Sequence, residues 1–473
     1  MNILYAASEA LPFIASGGLA DVAGSLPGAL KKEGAECRVV MPLYSDIKQE
    51  LRDRMTYVTH FNVPLAWRNQ YCGLFEAEIG GVKYYLLDNE YYFKRSGIYG
   101  FFDDAERFLF FSKAILEMVS HIDYNPDIIH CNDWQTAMVP VFLNVFYRGV
   151  EKFRNIKTVF TIHNIAYQGK YGKEVGVDIA GLPPHAMGIV EYDKDVNMMK
   201  GAIDQCDMVT TVSPTYATEI LDSWFGFGLD RIIREKQYKL CGILNGIDVK
   251  SYDPAADAEI YKTFSADHPK GKAANKAELQ KTLNLEIDPA RPVVAMISRL
   301  VGMKGLDLVR YIFDAMMAEG IQFVVLGTGD FIYENFFADM ARKYPGSVAV
   351  KKGFIPDLAR KIYAGADMLL MPSKSEPCGL AQMVALRYGT IPIVRETGGL
   401  GDSITDLGGE NGNGFTFKTY NAHDMLDAMK RAVDLYHDED SWQKAVVHAM
   451  QCDFSWQQSA VQYMEMYKKV LDN

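Results

Sequence analysis

The sequence contains no uncharged apolar run of 18 or more residues, the length a membrane-spanning helix needs, so a soluble chain is expected. It also lacks an excess of positive charge. Its 49 Lys and Arg face 60 Asp and Glu, and a net charge of -11 offers no basic field to collect the phosphates of a nucleic acid. The seven cysteines (Cys37, Cys72, Cys131, Cys206, Cys241, Cys378 and Cys452) are odd in number, scattered, and never spaced as the CxxC pair that holds zinc. Reduced thiols are expected. The opening MNILYAASEALP has no positive n-region and puts Glu9 inside its apolar run, so it does not read as a signal peptide, and the expected compartment is the cytoplasm.

What is present is an ordinary globular composition, 49% hydrophobic and 23% charged, over 473 residues. One hydrophobic core rarely serves more than about 250 to 300 residues, so two domains are expected. Periodicity predicts strands at 1–7, 37–42, 84–88, 128–131, 158–163 and 208–212 in the first half, the first two joined by an amphipathic stretch ending at Glu33-Gly34. The second half alternates more regularly, with strands at 293–298, 323–327, 348–351, 368–371 and 391–394 separated by helical patterns. Alternation with short connections argues for parallel sheets covered on both faces, and hence for two doubly wound α/β domains.

A Gly- and Pro-punctuated stretch at 245–254, followed by a polar, Lys-rich segment at 262–281, places the boundary, giving domains of 1–245 and 246–454. Trp456, Ala460, Tyr463, Tyr467 and Leu471 recur at helical spacing, so residues 455–473 form a helix whose apolar face must pack on something that periodicity does not identify. One motif occurs once per domain: Ser16-Gly17-Gly18-Leu19-Ala20-Asp21 is answered by Thr397-Gly398-Gly399-Leu400-Gly401-Asp402. Each copy reads as a turn following a strand. Ligands of open α/β sheets bind beyond the carboxyl ends of the strands, so the two turns are expected to face each other across a cleft, against the alternative of two ordinary tight turns.

The segments FIASGGLADVAGSLP, PDIIHCNDWQTA, FTIHNIAYQG, TVSPTYATEI, GILNGID, ISRLVGMKGLDL, PSKSEPCGLAQMVALRYGTIPIVRETGGLGD and DFSW, in one collinear order, resemble the bacterial glycogen synthases and plant starch synthases, which use ADP-glucose. The resemblance implies a GT-B fold, two facing Rossmann-like domains with the donor held mostly by the second and the glucan acceptor mostly by the first. It also implies that the last helix crosses back onto the first domain, and that domain closure excludes water from the reacting sugar.

Arg299 and Lys304 follow a strand in RLVGMKG, where two cations can neutralise a diphosphate leaving group; the family uses the matching pair in this way. Glu376 opens EPCGL between a strand and a helix, which places its carboxylate at a helix N-terminus. By resemblance it holds glucose hydroxyls, while Cys378, Gly379, Thr397, Gly398 and Gly399 support donor binding. Nothing adjacent makes Cys378 a nucleophile. His163-Asn164 and Asp133-Trp134 each follow a strand of the first domain. The family places the matching His against the sugar, Asp133, Trp134, Asn164 and Asp21 toward the sugar and acceptor, and Gly17, Gly18 and Asn245 toward the diphosphate. The bland reading of these residues is a set of solvated charges and structural turns.

The resemblance further implies retention of configuration by front-face attack, with no metal and no cofactor beyond the donor. The triplets Asp193-Lys194-Asp195 and Asp438-Glu439-Asp440 follow no strong strand and read as solvated charge. One departure stands out: the family carries Lys before the first Gly-Gly pair's Ser/Thr, where this chain has Ala15, which leaves ADP-glucose against UDP-glucose open. Phe354, after a strand, is placed to stack on either base. Rival readings are a dehydrogenase, whose GxGxxG, begun by Gly327-Thr328-Gly329 after a strand, is broken at Ile332, a non-catalytic glucan-binding relative, and a glucosyltransferase with another acceptor.

Overall fold

The computed structural model describes residues 1–409 and 411–472. The chain divides into two compact units, one of residues 1–246 with the terminal helix from Trp456, the other Ile247–Ser455.

The first unit is built on a nine-stranded sheet. Seven neighbours run parallel, in the order Leu240–Gly242, Met208–Thr211, Lys157–Ile162, Ile128–Asn132, Asn2–Ala6, Glu36–Pro42 and Val82–Asp88. The central strands are buried along their length, which is why they read as unbroken apolar runs rather than alternation. An antiparallel hairpin, Thr56–Leu65 and Arg68–Ile79, extends the sheet beyond Val82–Asp88 and was not visible as strand in the sequence. Its outer strand buries only Phe61, Val63 and Leu65, while Tyr57 and Val58, adjacent and both exposed, break the alternation at its start. A small three-stranded antiparallel sheet also lies outside the predicted set, and Asp193 and Lys194, both at positive φ, form the turn between two of its strands.

The terminal helix Trp456–Asp472 packs against the helix Gly18–Lys32 within this unit. Tyr467 reaches the sheet, its hydroxyl 2.6 Å from Nδ1 of His130, whose Nε2 lies 2.6 Å from Oγ1 of Thr161. Burial pushes His130 down to about 3, so the ring is neutral and accepts from one hydroxyl while donating to the other.

The second unit carries six strands, all parallel. Numbered in chain order (Val293–Ile297, Gln322–Gly327, Val348–Lys352, Met368–Met371, Ile391–Arg395, Phe415–Phe417), they run 3-2-1-4-5-6. The order reverses between Val293–Ile297 and Met368–Met371. Loops leaving these two strands diverge, and the crevice beyond their carboxyl ends is where such a sheet binds a ligand. The Lys-rich segment before the sheet is less solvated than its composition suggests. In the helix Gly271–Thr282, Lys272 is buried and donates to the carbonyls of Ala364 (3.2 Å) and Tyr388 (2.9 Å), closing the ends of the helices Pro356–Gly365 and Ala381–Arg387. Asp438, in the other acidic triplet, caps the helix Glu439–Gln451 by accepting from the Ser441 N–H.

Candidate functional site

The reversal point of the second unit holds a cavity of about 170 Å³. One wall is the end of Val293–Ile297 with Ser298, Arg299 and Lys304; the other is Met371, Pro372, Ser373, Glu376 and Gly379. Lys304 closes a single turn of 3-10 helix, Gly302–Lys304, and the next residue, Gly305, has φ 72°. That turn must lie flat on the neighbouring strand end, since a Cβ at Gly305 would stand 2.0 Å from the Pro372 carbonyl oxygen. The Lys374 N–H donates to the Met303 carbonyl (2.9 Å) and completes the junction. The result brings Lys304 Nζ 2.5 Å from Oε2 of Glu376, which also accepts from the Ser373 hydroxyl at 2.9 Å. Arg299 lies on the exposed rim.

The loop bearing Glu376 is locked from below by the second Gly-rich turn. Gly399 N–H donates to the carbonyls of Glu376 and Pro377, both at 3.1 Å. A Cβ would fall 2.0 Å from the Glu376 carbonyl oxygen at Gly398 and 2.1 Å from that of Cys378 at Gly399. Gln382 adds a third tie, its amide donating to the carbonyls of Cys378 (3.1 Å) and Gly379 (2.8 Å) and to the Ser403 hydroxyl (3.1 Å).

The first unit has its own polar cluster, where the strand order reverses between Asn2–Ala6 and Ile128–Asn132. Asp133 sits just past the second of these with φ 54°, a conformation that costs a non-glycine residue about 1–3 kcal/mol and persists only when its surroundings impose it. Its N–H donates to the Thr161 carbonyl (3.0 Å), and its carboxylate accepts the backbone N–H groups of His163 (2.8 Å) and Asn164. Asn132 orients the His163 ring. Its Nδ2 donates to the Ala6 carbonyl, so its Oδ1 is the acceptor of the Tyr5 hydroxyl (2.9 Å) and of His163 Nε2–H (2.8 Å). Dense packing pushes His163 down to about 3, and the ring stays neutral with Nδ1 as its acceptor. Nearby, Glu9 accepts from the Ser16 N–H, the Ser16 hydroxyl (3.0 Å) and the Tyr99 hydroxyl (3.3 Å), and Tyr99 meets Ser8 at 2.7 Å. This carboxylate ties down the segment that leads into Gly17-Gly18, where Ala15 through Gly18 are exposed.

Residues 2–235 match the starch synthase catalytic domain, and residues 280–446 match the glycosyl transferases group 1 family. Full-length relatives include glycogen synthases of Bacillus cereus strain Q1, 48% identical over 100% of both chains, and of Desulforamulus reducens, 49% identical over 100% of this chain and 99% of that one. The chain belongs to the glycogen synthase family. Among solved structures, the catalytic domain of starch synthase IV from Arabidopsis thaliana, bound to ADP and acarbose, superposes with a TM-score of 0.92 at 33% identity, covering 100% and 99% of the two chains. A sucrose-phosphate synthase from Thermosynechococcus elongatus, at 16% identity and TM-score 0.62, shares the fold. As a glycogen synthase family member the chain is a glucosyltransferase with the GT-B two-domain α/β fold. No helix among the described residues is long and apolar enough to cross a membrane.

Of the residues singled out in the sequence, the structure gathers Arg299, Lys304, Glu376 and Gly379 around one cavity, with Cys378, Thr397, Gly398 and Gly399 buried beneath or beside it. Asp133, Trp134, His163 and Asn164 cluster in the first unit, which also holds Gly17, Gly18, Asp21 and Asn245. Phe354 stands 91% exposed beyond the strand Val348–Lys352 and does not line the cavity. Two expectations need correction. The helix after Glu376 begins only at Ala381, so Glu376 lies in a loop and is held by Ser373 and Lys304 rather than by a helix N-terminus. The first Gly-rich copy does not directly follow its strand, because residues 7–15 intervene, and the two copies differ sterically: a Cβ at Gly17 or Gly18 meets nothing within 4 Å, whereas Gly398 and Gly399 are jammed under carbonyls.

Sequence reasoning missed Glu9, Tyr99, Asn132, Ser373 and Arg395. Glu9 and Tyr99 meet 90 positions apart, and Asn132 meets His163 31 positions away and Tyr5 127 away, which no local pattern reports. Ser373 lies three residues before Glu376, and that proximity was the available signal.

Burial pushes Asp133 up to about 7, against the opposing pull of the two backbone N–H donors, and Asp21 up to about 6. From the ordinary 3.8 to about 7 the folded chain keeps a proton on Asp133 that the unfolded chain has released, so this group's contribution to stability falls as pH rises through that window. Asp133→Asn is therefore expected to raise the melting temperature at pH 8. It should also lower kcat about 10- to 100-fold, the equivalent of losing a charge-assisted hydrogen bond worth about 1.5–3 kcal/mol. Scanning calorimetry and steady-state kinetics at pH 6 and 8 check both signs.

Proposed function

We propose that the protein transfers glucose from ADP-glucose to the non-reducing end of an α-1,4-glucan, releasing ADP and retaining the α configuration. The observation that carries this is the cavity at the strand reversal of the second unit, where two cations, Arg299 and Lys304, stand with the carboxylate of Glu376. Breaking the bond between C1 and the phosphate oxygen puts negative charge on the departing ADP, and the two cations stabilise it there. Glu376 accepts hydrogen bonds from glucose hydroxyls and orients the ring. As C1 gains oxocarbenium character, the acceptor hydroxyl forms the new bond on the face the phosphate leaves, and its proton passes to that phosphate. In the first unit, neutral His163 and Asp133, held by Asn132 and by backbone N–H groups, are the groups this reading assigns to the glucan acceptor. In the same unit, Gly17 and Gly18 leave open backbone at the start of the helix Gly18–Lys32, where an anion can approach. In this scheme cationic side chains do the work that a metal performs elsewhere. The ADP and acarbose bound by the related starch synthase IV domain support the choice of base and acceptor. Phe354, exposed, is available to stack on the base.

The test is to incubate the protein with a malto-oligosaccharide and either ADP-glucose or UDP-glucose, with a chelator present, and to follow nucleotide release and chain length together. Elongation with ADP-glucose is expected. Elongation with UDP-glucose alone would move the base preference, and attention, to Ala15 and Phe354. Release of nucleotide without elongation, or no turnover with either donor, would overturn the reading.

A further inference from the structure

Beneath the loop that carries Glu376 lies a buried cation to which the scheme above gives no role. Arg395 ends the strand Ile391–Arg395 and is 8% exposed. Its Nε donates to the Ser373 carbonyl at 2.8 Å and its Nη2 to the Lys374 carbonyl at 2.6 Å, while Nη1 lies 3.4 Å from the Lys418 carbonyl. The guanidinium carbon is 5.8 Å from the centre of the Tyr420 ring, and the Tyr420 hydroxyl donates to Asp307, in the first turn of the helix Leu306–Ala318 that follows Lys304. The planar fork of an arginine matches two adjacent carbonyls at once; a lysine ammonium is a single point donor and cannot reproduce that pair of bonds in a fixed geometry. Both carbonyls belong to the segment whose Ser373 hydroxyl holds Oε2 of Glu376, the same oxygen that faces Lys304.

We propose that Arg395 is a positioning residue for Glu376, acting through the Ser373–Lys374 backbone and the Ser373 hydroxyl. It fixes where the Glu376 carboxylate stands relative to Lys304 without lining the cavity. The inference rests on the role given to Glu376 in glucosyl transfer.

The experiment compares wild type, Arg395→Lys, Ser373→Ala, Glu376→Ala and the two double variants with Glu376→Ala. It measures kcat, KM for the nucleotide sugar and melting temperature. Arg395→Lys is expected to fold and to lower kcat about 10- to 100-fold, as for loss of hydrogen bonds to a charged group, with KM changed less than about threefold. In the Glu376→Ala background it should lower kcat by less than about twofold, because the residue it acts through is gone. Ser373→Ala, which deletes only a hydroxyl, should show the same lack of additivity and serves if Arg395→Lys does not fold. A full single-variant loss repeated in the Glu376→Ala background, or wild-type kcat in both Arg395→Lys and Ser373→Ala, would overturn the proposal while leaving glucosyl transfer intact. A wild-type chain that fails to transfer glucose would sink both.

Discussion

Lys304→Ala is expected to lower kcat for glucosyl transfer by about 10²- to 10³-fold, the range seen when one preorganised group facing developing charge is removed. Two losses combine in this variant. The leaving diphosphate loses a cation fixed in advance by the turn Gly302–Lys304, and Glu376, only 7% exposed, loses the ammonium 2.5 Å from its carboxylate. The second loss matters because the Glu376 carboxylate then keeps the Ser373 hydroxyl but loses the ammonium that faces it, and a turned carboxylate no longer serves as acceptor toward the sugar. Nucleotide release followed in a coupled assay reads the effect, and an unchanged melting temperature would separate it from unfolding.

Gly398→Ala should also damage the site and, unlike the lysine variant, should be costly to the fold. The new Cβ would lie 2.0 Å from the Glu376 carbonyl oxygen, and the obstacle is backbone, so no side-chain rotation relieves it. The residue also sits at φ 44°, which costs a residue bearing a Cβ about 1–2 kcal/mol, and forced overpacking adds about 1–3 kcal/mol more. The loop bearing Glu376 must shift, so donor KM is expected to rise by about tenfold or more, with a melting temperature several degrees lower. Gly18→Ala is the control for stability. The same motif in the first unit leaves its Cβ position open, and the melting temperature should not move.

That contrast also marks how far the sequence could be read. The two Gly-rich turns are alike in sequence, yet one is open at the start of a long helix and the other serves as the floor of the loop bearing Glu376, a difference set by what packs above them. The central parallel strands were legible because burial on both faces writes an unbroken apolar run, as in Val293–Ile297 and Ile128–Asn132. The edge hairpin Thr56–Leu65 and Arg68–Ile79 was not, because exposed Tyr57, Val58 and Tyr71 interrupt the apolar–polar alternation that marks a half-buried strand. Arg299, Lys304 and Glu376 stood out by charge just after strands, and the fold does bring them together. What holds them was hidden. Gln382 and Arg395 work through backbone carbonyls that have no sequence signature, and Glu9 fixes Ser16 only because the loop between them folds back. Lys272 is the converse case, a charge that composition assigns to solvent and that the fold places at the ends of two helices.

The most direct test of the central claim, that the cavity between Val293–Ile297 and Met368–Met371 receives the diphosphate of the donor, is a calorimetric titration of ADP into the wild-type chain and into Lys304→Ala. One site per chain in the wild type, weakened by about tenfold or more in the variant, is the predicted result, since removing a phosphate-binding cation costs at least one charge-assisted interaction. Equal affinity in the two proteins would contradict it and place the nucleotide elsewhere.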